Sequence, residues 1–314
     1  MSEVGQDLLG RVVVVTGATG GMGRVLCREV ATRGARVVAL GRDATRLNGL
    51  RAELQLLRPP VEPVVVVADL ATTTGIASAA RDVRALGPEV DVLLNNAGAH
   101  FAERHVSRDG LEMHVAVDYL PAVGMATLLA QELDRAQGRV VNVVSDTLRD
   151  ARKLTFVGRA RPPHVVREDL ADLRSVNPAR GYRAFEAYAR AKLLTAMATV
   201  ELARRWADRG VTVNAVHPGI VATGIVDGLV PAPLRPLRSA IRSLMLTPEQ
   251  GAAPALRLAL DPGLVGLTGR YFVRDEDTDL PSVVEDTTAR ELLLATTERL
   301  LGGDPASVMP GPRQ

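Results

Sequence analysis

A phenol and an ammonium stand four residues apart at Tyr188 and Lys192, inside the stretch Ala184-Phe-Glu-Ala-Tyr-Ala-Arg-Ala-Lys192. Ala favours helix and residues i and i+4 share a helix face, so the two polar ends would lie side by side. Of the 38 basic residues, only Lys153 and Lys192 are lysine. Arg is a wide, rigid fork, whereas Lys is a compact charge that can slip under a phenol. A phenol activated in this way can exchange a proton with an oxygen held against it. Standing alone, the pair could equally be a surface contact between neighbouring helical turns.

Other polar residues sit where a ligand could reach them. Ser145 closes the Val-rich run Arg139-Val-Val-Asn-Val-Val144, and Asn95-Asn96-Ala97-Gly98 closes Val90-Asp-Val-Leu-Leu94. Arg11-Val-Val-Val-Val-Thr16 leads straight into Gly17-Ala-Thr19-Gly-Gly21-Met22-Gly23, and a helical pattern then runs to Arg33. The glycines at 17, 21 and 23 would let a diphosphate approach the backbone at the positive end of that helix. Plain turn chemistry is the other reading of the same glycines.

The elements that must carry these residues follow from short β-branched runs alternating with helical segments. Ala35–Leu40 is the second strand expected, Val64–Val67 the third and Thr212–Val216 the sixth, with helices at 44–57, 74–86 and 110–133, the last interrupted near Pro121. Runs apolar throughout suit strands buried on both faces, which predicts an α/β, doubly wound parallel sheet with right-handed crossovers. Ligands of such sheets lie at the C-terminal ends of the strands. After the second strand the slot for an acid holds Gly41, followed by Arg42, a fork suited to a ribose 2′-phosphate; a solvated loop cation is the alternative. Asp69, at the end of the third strand, could accept from an adenine amino group or cap the next helix.

Composition removes other classes. The chain has 314 residues, 46% hydrophobic and 24% charged, with no apolar run near eighteen residues and no basic-apolar leader, so a cytoplasmic protein without stable membrane insertion is expected. Its net charge is only +2 and acids are interleaved with the Arg, which argues against nucleic acid as a partner. The five His lack metal-ligand spacing, the carboxylates from Asp275 to Asp279 read as a solvated loop, and Cys27, the only cysteine, reads as packing. No linker or repeat divides the chain, so a single domain over 1–314 is expected, its core spanning about 11–272 with a C-terminal helix and tail at 287–314. Two stretches, 147–180 and 224–246, would shape the substrate pocket. The second sets Leu234, Leu237, Ile241, Leu244 and Met245 at helical spacing and reads as a lid, a core element, an oligomer interface or a membrane-surface contact, so a homo-oligomer stays open.

Taken in order, Thr16-Gly17-x3-Gly21-x-Gly23, Asn95-Asn-Ala-Gly98, Ser145, Tyr188-x3-Lys192 and Pro218-Gly219 resemble the short-chain dehydrogenase/reductase family. Gly41-Arg42-Asp43, the long segment between Ser145 and Tyr188, Thr247–Ala252 and Thr268–Phe272 look most like its retinol-dehydrogenase-like and polyketide-ketoreductase branch. The resemblance implies a Rossmann-type fold, with a substrate-loop insertion before Tyr188 and a lid after the sixth strand. It also implies an NADP(H)-dependent reductase of a small, apolar carbonyl or alcohol. On that likeness Tyr188 is the acid/base, Ser145 polarises the carbonyl, and Lys192 lowers the Tyr188 pKa and holds the nicotinamide ribose. Gly17, Thr19, Gly21, Met22, Gly23, Arg42, Asp69, Leu70, Asn96, Ala97, Gly98, Pro218, Gly219, Ile220 and Thr223 would contact the cofactor. One position departs: relatives carry Asn in the fourth helix where this chain has Asp118, a carboxylate that would offset part of the Lys192 charge. A cofactor-binding, non-catalytic regulator is the rival that this departure suggests.

Overall fold

The computed structural model describes residues 7–152, 162–222 and 245–302. Its first half alternates β1 (Val12–Val15), α1 (Gly21–Thr32), β2 (Arg36–Gly41), α2 (Ala44–Leu56), β3 (Val64–Val67), α3 (Thr73–Arg84) and β4 (Val92–Asn95). A π turn, Val115–Tyr119, then leads into α4 (Leu120–Leu128) and α5 (Ala130–Ala136). β5 (Arg139–Val143), α6 (Arg167–Ala171), α7 (Ala184–Arg205), β6 (Thr212–His217), α8 (Pro248–Leu260), β7 (Tyr271–Val273), β8 (Glu276–Asp277) and α9 (Thr287–Leu300) complete it.

The strands form one sheet in the order β3-β2-β1-β4-β5-β6-β7-β8, parallel except for β8. Successive strands are laid outward from β1 on one side and from β4 on the other, so the order reverses between them and leaves a crevice there. Strand side chains alternate between two apolar layers. Val14, Val38, Leu93 and Val140 join the core under α3, α4, α7 and α9, while Val13, Val15, Leu94 and Val141 face α1, α2 and α8. This is the doubly wound α/β sheet expected from the Val runs.

Four details differ from expectation. Tyr271–Val273 and Glu276–Asp277 extend the sheet as a short hairpin end, too brief to register as a periodic run. The helix expected from Gly110 starts at Met113, because Gly110 adopts a left-handed φ of +81° and the chain there turns back through a Val106–Glu112 bridge. The break foreseen near Pro121 is a π turn: Pro121 has no N–H to give Val117, and Leu120 N–H reaches back five residues to the Val115 carbonyl. The third helix is capped by the Thr72 hydroxyl, which accepts from Gly75 N–H at 3.0 Å, and not by Asp69, whose carboxylate accepts from Ala71 N–H.

The two stretches assigned to the substrate pocket are only partly visible. The insertion is described except for 153–161, and of the stretch read as a lid, 224–244 lies outside the described residues. Residues on either side of 223–244 meet, with Val221 bridged to Leu246 and Leu246 N–H donating to the Ile220 carbonyl. α9 packs across α7 and α4, where the Tyr119 and Thr297 hydroxyls are hydrogen-bonded in the core. Among the described residues no helix is long and apolar enough to cross a membrane.

Candidate active site

Tyr188 and Lys192 lie in the second and third turns of α7, whose Ala-rich face packs tightly enough that both side chains are buried. Ser145 follows β5, and its hydroxyl lies close enough to the Tyr188 phenol to lower its pKa. The Lys192 ammonium donates to the Val143 carbonyl at 3.1 Å and lies 5.6 Å from the centre of the Tyr188 ring. The extra residue of the π turn brings Asp118 inward, so its Oδ1 sits 3.3 Å from Lys192 Nζ and accepts from Ala99 N–H at 3.1 Å. Gly98 makes this approach possible, since a Cβ there would stand 2.8 Å from the Asp118 carboxylate. Ser145, Tyr188, Lys192 and Asp118 therefore form one cluster at the C-terminal edge of the sheet.

The electrostatics correct one expectation. Burial pushes the Tyr188 phenol upward, the Asp118 charge pushes it further in the same direction, and only the Ser145 hydrogen bond pulls it down. Asp118, 3.3 Å from Lys192 Nζ, offsets the charge from which a lowering was expected. The Asp118 carboxyl is itself raised by burial, with Lys192 and His114 opposing. Its Oδ2 is buried without a hydrogen-bond partner among the described residues.

A second group of predicted residues lines the ends of β1 to β4. Gly17 has φ +62° and its Cα approaches Ala97 so closely that a Cβ would stand 2.8 Å from the Ala97 Cα, while one on Gly23 would collide with the Gly17 carbonyl at 2.2 Å. These two glycines first of all allow the turn to close. No side chain caps α1 and its first turn carries no acid, whereas Asp43, Thr72, Thr247 and Asp286 cap α2, α3, α8 and α9. An uncapped helix start with exposed Gly20 and Gly21 fits an anion such as a diphosphate. Met22 and Leu70 are buried side chains, so only their backbones could meet a ligand. Thr19 gives its carbonyl to Arg46 at 2.8 Å, and Arg42 is exposed beside the Asp43 cap. Asp69 is exposed as well.

The Asn96 side chain turns away from the crevice: its amide donates to the Thr16 carbonyl, and the Thr16 hydroxyl accepts from both Asn96 and Ala97 N–H at 3.0 Å. It ties β4 to β1. Asn95 donates to Asn142 and Asn142 to Thr199, a buried chain across β4, β5 and α7. Pro218 and Gly219 follow β6, with Gly219 at φ +92° and packed where a Cβ would strike Leu246, and Ile220 is 65% exposed. Thr223 lies outside the described residues.

Sequence reasoning missed a polar cluster behind Tyr188. Glu112, buried, accepts from His114 Nδ1 at 2.9 Å, His114 N–H at 3.1 Å, Asn177 at 2.8 Å and the Tyr182 hydroxyl at 3.0 Å. Phe101 N–H donates to His114 Nε2, which puts the ring proton on Nδ1. The His114 and His100 rings stand edge-on to Tyr188, centres 5.9 and 6.0 Å away. Next to Ser145, Asp146 accepts from Tyr271 at 2.9 Å and pairs with Arg149, and burial holds nearby His217 down to about 4. Neither group shows in sequence, because Glu112 and Asn177, or Asp146 and Tyr271, are brought together only by the fold. Cys27 is buried, its thiol pushed up to about 12, as befits a packing residue. Among the described residues no group of three or more His, Cys, Asp or Glu could hold a metal ion.

Comparison with known proteins bears on the same residues. A family model described as short chain dehydrogenase matches residues 11–155, and one described as enoyl-(acyl carrier protein) reductase matches 169–275. Retinol dehydrogenase 11 of Homo sapiens is 34% identical over 267 residues, covering 85% of this chain and 78% of its own. Polyprenol dehydrogenase of Mus musculus is 34% identical over 311 residues, covering 93% and 84%. A solved structure from Beutenbergia cavernae, described as an NAD(P)-dependent gluconate 5-dehydrogenase with NADP bound at low occupancy, is 29% identical with a TM-score of 0.64, covering 86% and 97%.

Proposed function

Because the chain belongs to the short-chain dehydrogenase/reductase family, whose fold binds a nicotinamide cofactor, we propose that it is an NADP(H)-dependent oxidoreductase acting on a carbonyl or secondary alcohol of a fairly apolar substrate. The observation that carries this reading is the cluster of half-buried Ser145 with buried Tyr188 and Lys192 at the C-terminal edge of the sheet. When bound, the nicotinamide supplies or accepts the hydride. Ser145 would hydrogen-bond the substrate oxygen and Tyr188 would exchange its phenolic proton with that oxygen. Lys192 has three ammonium protons; Val143 and Asp118 engage two, which leaves the third for the ribose hydroxyls.

The uncapped start of α1 would take the diphosphate and Arg42 the 2′-phosphate, with Arg46 on the same side of the glycine turn. NADP in the related solved structure supports that choice. Relatives named for retinol and polyprenol support an apolar substrate.

The test is NADPH oxidation against a panel of apolar ketones, aldehydes and quinones. Tyr188→Phe should keep the fold and lose at least about 100-fold in kcat, roughly 2.7 kcal/mol of barrier. If the variant retains a tenth of the activity, Tyr188 is not the proton donor. Arg42→Asp should turn a preference for NADPH into one for NADH, read as the ratio of kcat/KM. An unaltered chain that already prefers NADH removes the phosphate role of Arg42. Cofactor binding without turnover across the panel would favour a regulator that has kept the fold.

A further inference from the structure

We propose that Asp118 is a positioning residue that keeps Tyr188 in its phenol form, so that the site is arranged to give a proton to a carbonyl oxygen through neutral and alkaline pH. The inference rests on the oxidoreductase reading and adds to it the direction for which the site is built. It starts from charge balance. With an amide at position 118, the buried ammonium of Lys192 would face Tyr188 uncompensated and favour the phenolate. Here the Asp118 carboxyl stands 3.3 Å from Lys192 Nζ with its side chain fully buried, so with both groups ionised the pair presents almost no net charge to the ring.

Among the described residues, the other groups around Tyr188 do not restore the positive field. His114 and His100 meet the ring edge-on, and behind His114 stands the Glu112 carboxylate with the Tyr182 hydroxyl. Among the described residues Ser145, after β5, adds only a hydroxyl, and Asp118 and Lys192 complete the set from the π turn and α7. Burial disfavours the phenolate in the same sense.

The chemistry balances as a two-electron reduction with reduced nicotinamide as donor. The carbonyl carbon gains the hydride, the C=O π pair moves to oxygen, and that oxygen takes the Tyr188 proton; the phenolate is then reprotonated from solvent. An alkoxide is a much stronger base than a phenolate, so a weakly acidic tyrosine still protonates it. The reverse reaction must begin from the phenolate, which this arrangement makes scarce. The equilibrium constant belongs to the reactants; Asp118 sets only the pH range over which each direction is flat. Below the Tyr188 pKa, reduction is independent of pH and oxidation rises about tenfold per unit.

Tyr188 is followed by phenolate absorbance, as the difference between each protein and its Tyr188→Phe counterpart, without cofactor. In the unaltered chain the midpoint should be at or above that of free tyrosine, about 10; a midpoint below it overturns the proposal. Asp118→Asn should lower the midpoint by at least about 0.5 unit, a change that a purely structural residue would not cause. A smaller or upward shift overturns it. Should the variant fail to fold, the unaltered midpoint still decides. In turnover, the alkaline limb of reduction should appear at lower pH in Asp118→Asn, and oxidation should level off there. The expected titration without any turnover would retire the oxidoreductase reading and leave the Asp118 to Tyr188 coupling intact.

Discussion

Two buried carboxylates, six positions apart on the same segment, flank Tyr188 and are treated in opposite ways by the fold. Glu112 has both oxygens engaged, by two groups of His114, by Asn177 and by Tyr182, and these partners hold its carboxyl below the usual range in spite of burial. Asp118 has one oxygen engaged and one bare, and burial carries it above that range. The first is a structural anchor that pins the insertion, through Asn177 and Tyr182, to the wall behind the tyrosine. The second is a charge kept under-satisfied beside the residue it acts on. Burial alone does not separate them; the number and kind of donors does.

The strongest way to break the comparison is Glu112→Ala, which strands His114 Nδ1 and Asn177 in the core. A loss of about 3 kcal/mol in urea unfolding is expected. A loss below about 1 kcal/mol would mean that the cluster is wet and Glu112 is no anchor.

A sharper test uses sign. The Glu112 carboxyl is lowered on folding, so it stabilises the protein above the unfolded value of about 4.3, and that contribution fades as pH falls through the folded value. Asp118 is raised, so its native state binds the proton more readily and stability rises as pH falls from the folded value toward about 3.9. The gap between unaltered chain and Glu112→Gln should therefore shrink on acidification. The gap to Asp118→Asn should move toward the unaltered chain, each by about 1 kcal/mol. Parallel trends would show that the two carboxylates share one environment.

The smallest effect belongs to Tyr182→Phe, which removes one donor to Glu112 from a half-buried position where water can replace it. Less than about 1 kcal/mol is expected, with the Tyr188 absorbance titration unmoved. A shifted titration would extend the functional group to Tyr182.

Much of the fold was legible because strands buried on both faces read as Val runs and because turns at a strand end need glycine at positions such as 17 and 219. The Tyr188 and Lys192 pair was legible because helix periodicity is local. What stayed hidden depended on contacts distant in sequence. Nothing near His114 announces that Glu112, Asn177 and Tyr182 surround it, and nothing near Asn96 says that its amide is spent on Thr16. The π turn was half legible: Pro121 announced a break, but the inward swing of Asp118 onto Lys192 needed α7 in place. The upward shift of Tyr188 comes first from burial and then from Asp118; the sequence had suggested the second, but the depth of burial needed the packed fold.

The hydrogen bond between Tyr119 and Thr297 bears on the order in which the protein is made. Tyr119 is the last residue of the π turn that holds Asp118, and its partner comes from a helix that begins only at Thr287. On the ribosome the sheet strands and α7 emerge first, and the turn carrying Asp118 must wait for α9 before its neighbour Tyr119 is secured. A nascent chain stalled before Thr287 should thus hold Tyr188 and Lys192 on a formed helix with Asp118 already met by Lys192 and Ala99, while the Tyr119 hydroxyl beside it still lacks its Thr297 partner.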